Sequence, residues 1–340
     1  MMEGLDLKQM TAMVKIIAEE KNLPEEIVLG IIETAVAAAW RKDNGDRDMN
    51  VRATLNVNTG EATVYVAREV IEDDVAYNPS TEIPLKEAGK GKKIVDLPAG
   101  GYNNHWTRNL IANEDNSKIY ISVGSGSNVG ENGMENEVKR ANILEINPDG
   151  SGEIIFAAGL RNPVGMAWAP GTKKLWTAVN ERDKLGDDLV PDYVTSVKKG
   201  GFYGWPYAYF GQHEDPRMAG KRPDLVKATL VPDIAVGSHT ASLGLTFYNG
   251  KKFPAKYQGG MFIGQHGSWN RSELSGYKVA FVPFKNGEQV GPMEDFLTGF
   301  IADLEKAEVY GRPVGVAEMK DGSLLVADDV SNTIWRVAAK

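Results

Sequence analysis

The 340-residue chain contains no cysteine. That excludes a disulfide framework, thiolate metal sites and a cysteine nucleophile, and it leaves neutral-pH proton chemistry to four histidines, His105, His213, His239 and His266. No apolar run approaches the roughly 18 residues that cross a bilayer. The start, MMEGLDLKQM, has neither a basic n-region nor an apolar h-region, so the chain as written is expected to remain in the cytoplasm. A generalised basic face is also lacking. The formal net charge is −8, which argues against direct nucleic-acid binding. What is present, 42% hydrophobic and 25% charged residues, is the range of a soluble globular protein long enough for two domains.

Scarcity is unevenly distributed. Residues 1–88 hold four of the 37 glycines, three aromatic residues, no phenylalanine and 17 acidic against 9 basic side chains. The other 252 residues are charge-neutral overall and rich in glycine and aromatics. Two units are therefore expected, 1–88 and 89–340, joined within LKEAGKGKKIVDLPAGG, Leu85 to Gly101, where glycine, lysine and proline interrupt any periodicity.

In the first unit the apolar spacing of Leu7, Met10, Met13, Ile16 and Ile17 predicts one helix. Pro24 with Glu25 and Glu26 predicts the start of a second, whose last turn is basic. VRATLNVNTGEATVYVAREV alternates about an NTGE turn, the pattern of a β-hairpin. The unit is a small α+β domain.

The second unit repeats itself. TRNLIANEDNSKIYISVGS, LRNPVGMAWAPGTKKLWTAVN and GRPVGVAEMKDGSLLVADD each place an arginine before two short apolar strands separated by a polar turn. Their leading arginines are Arg108, Arg161 and Arg312, and the intervals between them suit a period of roughly 40 to 50 residues. A looser copy, HTASLGLTFYNGKKFPAKYQGGMFIGQ, begins at His239. The reading is mainly β, a propeller of about four blades.

In such a fold the ends of the inner strands face a central channel, and His105, His239, His266, Arg161 and Arg312 all fall at those ends. A histidine base with fixed cations suits an anionic ligand beside a dissociable proton. The alternative for each is a hydrogen bond or ion pair between blades, and both stay open on spacing alone. NERDKLGDDLVPDY, Asn180 to Tyr193, crowds acids into a loop. That fits calcium, which takes oxygen ligands, or a solvated acidic loop. GGFYGWPYAYFGQ can wall a planar ligand or fill the core. GSGSNVG, Gly124 to Gly130, lacks the lysine and strand-to-helix setting of a phosphate loop.

Together, NNHWTRNLIANEDNSKIYISVGSGSNVGENGME, GLRNPVGMAWAP, NERDKLGDDLVPDY, GGFYGWPY, HTASLGL, GQHGSWNR, SGYKV and YGRPVGVA with GSLLVADD resemble the sorbosone and soluble aldose (glucose) dehydrogenase family over about residues 92–340. That family consists of six-bladed propellers that use pyrroloquinoline quinone (PQQ) and calcium, usually in the periplasm. The resemblance implies oxidation of an aldose or aldosone at the anomeric carbon, with electrons passing on to a separate acceptor. His105 matches the general base. Arg161, Asn162 and Arg312 match cofactor contacts, and His239, His266 and Arg271 sit where further pocket residues belong. The Asn180 to Asp188 loop, with Asp183, Asp187 and Asp188, is where the resemblance puts calcium.

Residues 4–88 resemble instead the amino-terminal domain of the transcription elongation factor NusA, which docks on RNA polymerase; the S1 and KH domains that contact RNA in that family are absent. The dehydrogenase family carries about two blades ahead of KKIVDLPAGG, a place taken here by the NusA-like segment. Three readings follow: a PQQ-dependent sugar dehydrogenase impaired by the missing blades, an RNA polymerase-binding protein with the propeller as scaffold, or a chimera in which neither activity survives. A calcium-dependent lactonase on a similar propeller fits the motifs less well.

Overall fold

A computed structural model describes residues 14, 16–21, 24–44, 48–55, 62–72, 75–84, 87–88 and 93–339. The chain divides into two compact units, residues 1–92 and 93–340.

In the first unit residues 16–21 are helical, and the 20-residue helix Glu25–Asn44 follows Pro24 and ends on Arg41 and Lys42. Leu7, Met10 and Met13 of the expected first helix lie outside the described residues. Val14, Ala18 and Val28 form a small buried core. The strands Asn50–Leu55 and Ala62–Ala67 pair antiparallel, as the alternation requires, while their NTGE turn is outside the described residues. The Leu55 amide donates to Glu33 Oε1 at 2.9 Å and ties hairpin to helix.

The second unit contains four antiparallel sheets in chain order. The first holds Arg108–Ala112, Ile119–Val123, Asn142–Ile146 and Ile154–Ala158; the second Asn162–Trp168, Leu175–Asn180, Pro191–Ser196 and Ile234–Ser238. The third holds Ser242–Phe247, Met261–Gln265, Lys278–Val282 and Glu294–Leu297, and the fourth Pro313–Glu318, Leu324–Asp328 and Thr333–Val337. The leading strand of each sheet packs on the leading strand of the next, so these are the inner strands of consecutive blades.

The interval from Arg161 to Arg312 holds two blades, each longer than the period the repeats suit. The blades are lengthened by insertions, among them the helix Pro223–Ala228 and the short pairs Ala208–Tyr209 with His213–Glu214 and Ile301–Asp303 with Glu308–Val309. One insertion ties back: Gly201–Phe202 adds in parallel to the outer strand of the first blade.

Apolar cores fill each seam. Tyr120, Ile143 and Ala157 meet Met166, Leu175 and Val179 between the first two blades. Trp176 and Val194 meet Leu245, Phe247 and Ile263 in the next seam, and Phe262 and Phe281 meet Val316, Leu324 and Val326 in the last. Each fully buried side chain of this size contributes about 1.5–3 kcal/mol before entropy is counted. The glycines shared by the repeats have a steric cause. A Cβ on Gly165 would stand 2.4 Å from the Leu243 carbonyl oxygen, and one on Gly244 would stand 2.5 Å from that of Val314. Glycine lets one inner strand seat on the backbone of the next.

Candidate functional site

The inner strands begin at one end of the seams, and His105 precedes the first of them. Its ring is half-buried, with Nδ1 2.9 Å from both the carbonyl oxygen and Oγ of Ser125. Ser125 Oγ gives its own hydrogen to the Ser127 carbonyl at 2.6 Å. Nδ1 therefore donates to Ser125, and Nε2 is left as the ring's acceptor. Burial first, then the positive charge of Arg161, with smaller contributions from Arg108 and Arg140, lowers the His105 pKa to about 3 against the opposing Ser125 hydrogen bond. The ring is neutral at any ordinary pH.

Gly124 brings His105 and Asn162 together: a Cβ there would lie 2.5 Å from His105 Cβ and 2.5 Å from Asn162 Oδ1. Asn162 Oδ1 is buried and accepts no hydrogen bond among the described residues. Arg161, buried beside it, donates Nε to the Asn128 carbonyl (3.1 Å) and Nη1 to that of Asn180 (3.2 Å). Its Nη2 reaches Asn128 Oδ1 at 2.9 Å and Asp183 Oδ2 at 2.7 Å. The other oxygen of Asp183 accepts from Asn270 Nδ2 at 2.7 Å. Asn270 in turn lies 3.4 Å from His239 Nδ1, while His239 Nε2 donates to the Gly186 carbonyl at 2.9 Å. A buried pair of this kind persists because each partner is also hydrogen-bonded.

Arg271 spans the same loop, with Nη1 on the Asp187 carbonyl at 3.1 Å and Nη2 on Asp188 Oδ1 at 3.2 Å. Hydrogen bonds from Ser272, with the nearby Arg271 charge, hold the Asp187 carboxyl below its usual range. Arg312 donates Nε to the His266 carbonyl at 2.9 Å and Nη2 to that of Gly267 at 2.5 Å, and its guanidinium lies 5.2 Å from the centre of the Tyr277 ring. His266 Nε2 lies 2.9 Å from Asp329 Oδ1, and its pKa is nevertheless lowered, by burial and by Arg312.

The structure thus gathers His105, Arg161, Asn162, Asp183, His239 and Arg271 into one network, with Arg312 and His266 paired beside it. The two groups connect where the His266 and Gly267 amides donate to the Ala241 and Thr240 carbonyls. His213 stays apart, exposed and stacked on Tyr209. Arg108 binds the carbonyls of Pro98, His105 and Thr107, bracing the loop before the first strand.

Several participants carry no distinctive sequence signal. Ser125 and Asn128 come from GSGSNVG, which binds no phosphate by its pattern but here orients His105 and Arg161. Asn270 lies inside GQHGSWNR, and Trp106 and Trp269, largely exposed, flank His105 and Asn270. Asp192, buried, accepts from the Glu181 amide (2.8 Å), Thr240 Oγ1 (3.1 Å) and the Ala241 amide (2.8 Å). It clamps a segment in which His239 and Ala241 have φ of 58° and 48°, a costly left-handed conformation. Burial pushes the carboxyl of Asp192 up to about 6 and that of Glu181 up to about 7. GGFYGWPY is core: Tyr203 and Trp205 are buried, and Trp205 Nε1 donates to the Asn128 carbonyl at 2.8 Å.

The carboxylates of Asp183, Asp187 and Asp188, where calcium is expected, are already hydrogen-bonded within the chain. Among the described residues no group of three or more His, Asp or Glu side chains converges on a possible metal position. Asp183 is taken by Arg161 and Asn270, Asp188 by Arg271 and Asp187 by Ser272, so the carboxylates of this loop face guanidinium and amide hydrogens instead.

Comparison with known proteins agrees with this architecture. A holo form of the pyranose dehydrogenase PQQ domain from Coprinopsis cinerea superposes with a TM-score of 0.57 at 19% identity, over 86% of this chain and 77% of that one, a likeness of fold. Aldose sugar dehydrogenase YliI of Escherichia coli is 33% identical over 120 residues, 35% of this chain and 30% of that protein. An uncharacterised protein of Borreliella burgdorferi is 32% identical over 279 residues, 81% of this chain and 70% of its own length. The NusA N-terminal domain model matches residues 9–100. Since the Glucose / Sorbosone dehydrogenase model matches residues 59–333, which take in the first three blades, the first two strands of the fourth and every residue of the network, the chain belongs to that family.

Proposed function

We propose that residues 93–340 form a PQQ-dependent dehydrogenase site that oxidises an aldose or aldosone at its anomeric carbon, with His105 as general base. The observation that carries this reading is the state of His105: a neutral ring, its Nδ1–H fixed on Ser125 and its Nε2 free to accept, set among arginines and next to an unpartnered Asn162 Oδ1. The donor set fits an anionic quinone. Arg161 and Arg271 are paired with Asp183 and Asp188, which leaves Arg312, whose Nη1 donates to nothing among the described residues, as the guanidinium to meet the quinone's negative charge. Asn162, His239 and His266 would add polar contacts. A calcium ion in the Asn180 to Asp188 loop would compete with Arg161, Arg271 and Ser272 for the carboxylates of Asp183, Asp188 and Asp187.

When bound, PQQ supplies a two-electron acceptor for hydride. The chain's own part is proton transfer and orientation. His105 Nε2 takes the proton of the hydroxyl being oxidised; burial and the Arg161 charge keep the ring unprotonated beforehand and also make it a weak base, which the negative charge of a bound anionic quinone would strengthen. Ser125 fixes the tautomer. The exposed Trp106 and Trp269 offer apolar faces to a sugar ring.

The test is PQQ titration of the purified chain, followed by aldose oxidation coupled to an artificial dye. We expect quinone binding and turnover, with kcat lowered at least about 100-fold in His105→Ala while PQQ binding persists. Absence of quinone binding would reject the reading. The match of residues 9–100 to the NusA N-terminal domain supports a second proposal, docking of the first unit on RNA polymerase. A pull-down with core polymerase decides it, and failure to bind sinks it.

A further inference from the structure

Ser125 holds the His105 ring, yet it stands in an irregular loop, Gly124 to Gly130, rather than on a strand or helix. A side chain kept in one orientation by a loop needs that loop fixed by further contacts. Glu137 supplies them. It closes the short 3₁₀ helix Met134–Glu137, between the second and third strands of the first blade, and is 6% exposed. Its Oε2 accepts from the Gly126 amide at 2.7 Å and its Oε1 from Ser127 Oγ at 2.5 Å.

Those two contacts aim both acceptors of the histidine. The Gly126 N–H and the Ser125 C=O share one planar peptide, so pinning the amide pins the carbonyl that receives the Nδ1 hydrogen. Ser127, held through its hydroxyl, presents the carbonyl to which Ser125 Oγ donates at 2.6 Å. Little slack remains: a Cβ on Gly126 would stand 2.8 Å from the Tyr102 carbonyl oxygen and 3.3 Å from Glu137 Oε1. The same segment also grips the residues leading to His105. The Arg140 amide donates to the Glu137 carbonyl at 3.1 Å, and Arg140 Nη1 donates to Asn103 Oδ1 at 2.5 Å. Glu131 repeats the pattern further along the loop, accepting from the Asn128 and Val129 amides at 3.2 and 2.7 Å, behind the Asn128 that holds Arg161.

We infer that Glu137 is a positioning residue for the base: through the Ser125–Gly126 peptide and Ser127 it keeps the His105 Nδ1 hydrogen on Ser125 and Nε2 bare. Its effect on the ring is independent of any cofactor, whereas its effect on turnover rests on the reading of His105 as general base. A buried carboxylate serves this purpose because its hydrogen bonds are charge-assisted, and nothing short of another acceptor can replace them in a site closed to water.

The experiment records two-bond ¹⁵N–¹H correlations of the imidazole nitrogens in the full chain, without cofactor, for wild type, Glu137→Ala, Glu137→Gln and Glu131→Ala. Only four histidines contribute, and His105→Gln identifies the signals of His105. Wild type is expected to show Nδ1 protonated and Nε2 bare. Glu137→Ala leaves the Gly126 amide and the Ser127 hydroxyl without their acceptor, so His105 should lose that pattern and show both tautomers. Glutamine keeps an oxygen for the Gly126 amide, and Glu131 lies behind Asn128, so both of those variants should retain the wild-type pattern. With PQQ and an aldose, Glu137→Ala should lower kcat at least about tenfold and change KM less than about twofold. If Glu137→Ala fails to fold, Ser127→Ala decides, since it removes one of the two contacts and almost no volume. An unchanged His105 pattern in the deciding variant, or an equal change in Glu131→Ala, overturns the inference. A wild type with the expected pattern but no turnover would instead reject His105 as a base and leave the hold of Glu137 on the ring standing.

Discussion

Replacing His105 by glutamine should change how stability depends on pH, with or without any cofactor. The unfolded histidine titrates near 6.5, and the folded one near 3. A histidine whose folded pKa is depressed contributes its full stability above 6.5. That stability is lost progressively as pH falls from 6.5 towards 3, because the unfolded chain takes up a proton that the folded chain refuses. The linked loss at pH 5 is about 2 kcal/mol, and at pH 7.5 it is close to zero. Glutamine keeps an N–H for Ser125 and has no charge to gain. Glu181 and Asp192 also titrate in this window, but they are common to both proteins and cancel in the difference. The assay is urea unfolding of wild type and His105→Gln at pH 7.5, 6 and 5 followed by tryptophan fluorescence, which reports residues 93–340 because six of the seven tryptophans lie there. The gap between the two midpoints should move in favour of the variant by somewhat under about 1 M on going from pH 7.5 to pH 5. Profiles that run parallel across the range would refute the claim that burial and Arg161 keep this ring neutral.

Removing the charge opposite Arg161 should be costly: Asp183→Ala is expected to lose about 3 kcal/mol in denaturant unfolding and Asp183→Asn less, and a loss under about 0.5 kcal/mol would mean that Asn128 and Asn180 suffice to hold the guanidinium. Gly165→Ala should cost about 3 kcal/mol, because its methyl would press on the Leu243 backbone, and a neutral result would contradict the seating of the second blade on the third. Glu181 behaves oppositely to His105: its folded pKa near 7 lies above the ordinary 4.5, so the stability it withholds grows as pH rises between those values. Glu181→Gln should therefore raise the melting temperature at pH 7.5, by a stability gain of up to about 3 kcal/mol, and leave it nearly unchanged at pH 4.5.

The sequence displayed what is periodic and concealed what is not. The paired strands of each blade were legible because arginine, apolar strand, polar turn and apolar strand recur in order, and the helix after Pro24 because its ends obey the macrodipole. Blade length was not legible, since the insertions between Ser196 and Ile234 and after Val282 follow no period. For the site, a histidine or an arginine at a strand end attracts notice in a sequence, whereas Ser125, Asn128 and Asn270 are ordinary polar residues whose importance lies in which atom they face. The acidic loop shows the limit most clearly. Counting carboxylates suggests calcium, and it does not reveal that Arg161, 22 residues before Asp183, and Arg271, 83 residues beyond Asp188, fold back onto those two carboxylates.

The support of the site is uneven among the four described blades. His105, Gly124, Ser125 and Asn128 come from the first blade and Arg161 and Asn162 from the second, and the seam between those blades is filled by a complete apolar core. The base, its tautomer and the buried guanidinium therefore depend on contacts present within the chain. Arg312 is placed differently. It leads the inner strand of the fourth blade, on whose far face no further blade packs among the described residues, and its orientation rests on two carbonyls and one aromatic ring from the third blade. On the proposed reading, loosening the fourth blade would weaken the hold on the quinone and leave His105 in place. Quinone affinity should then respond to whatever covers the fourth blade, whereas the pH-linked stability of His105 should not.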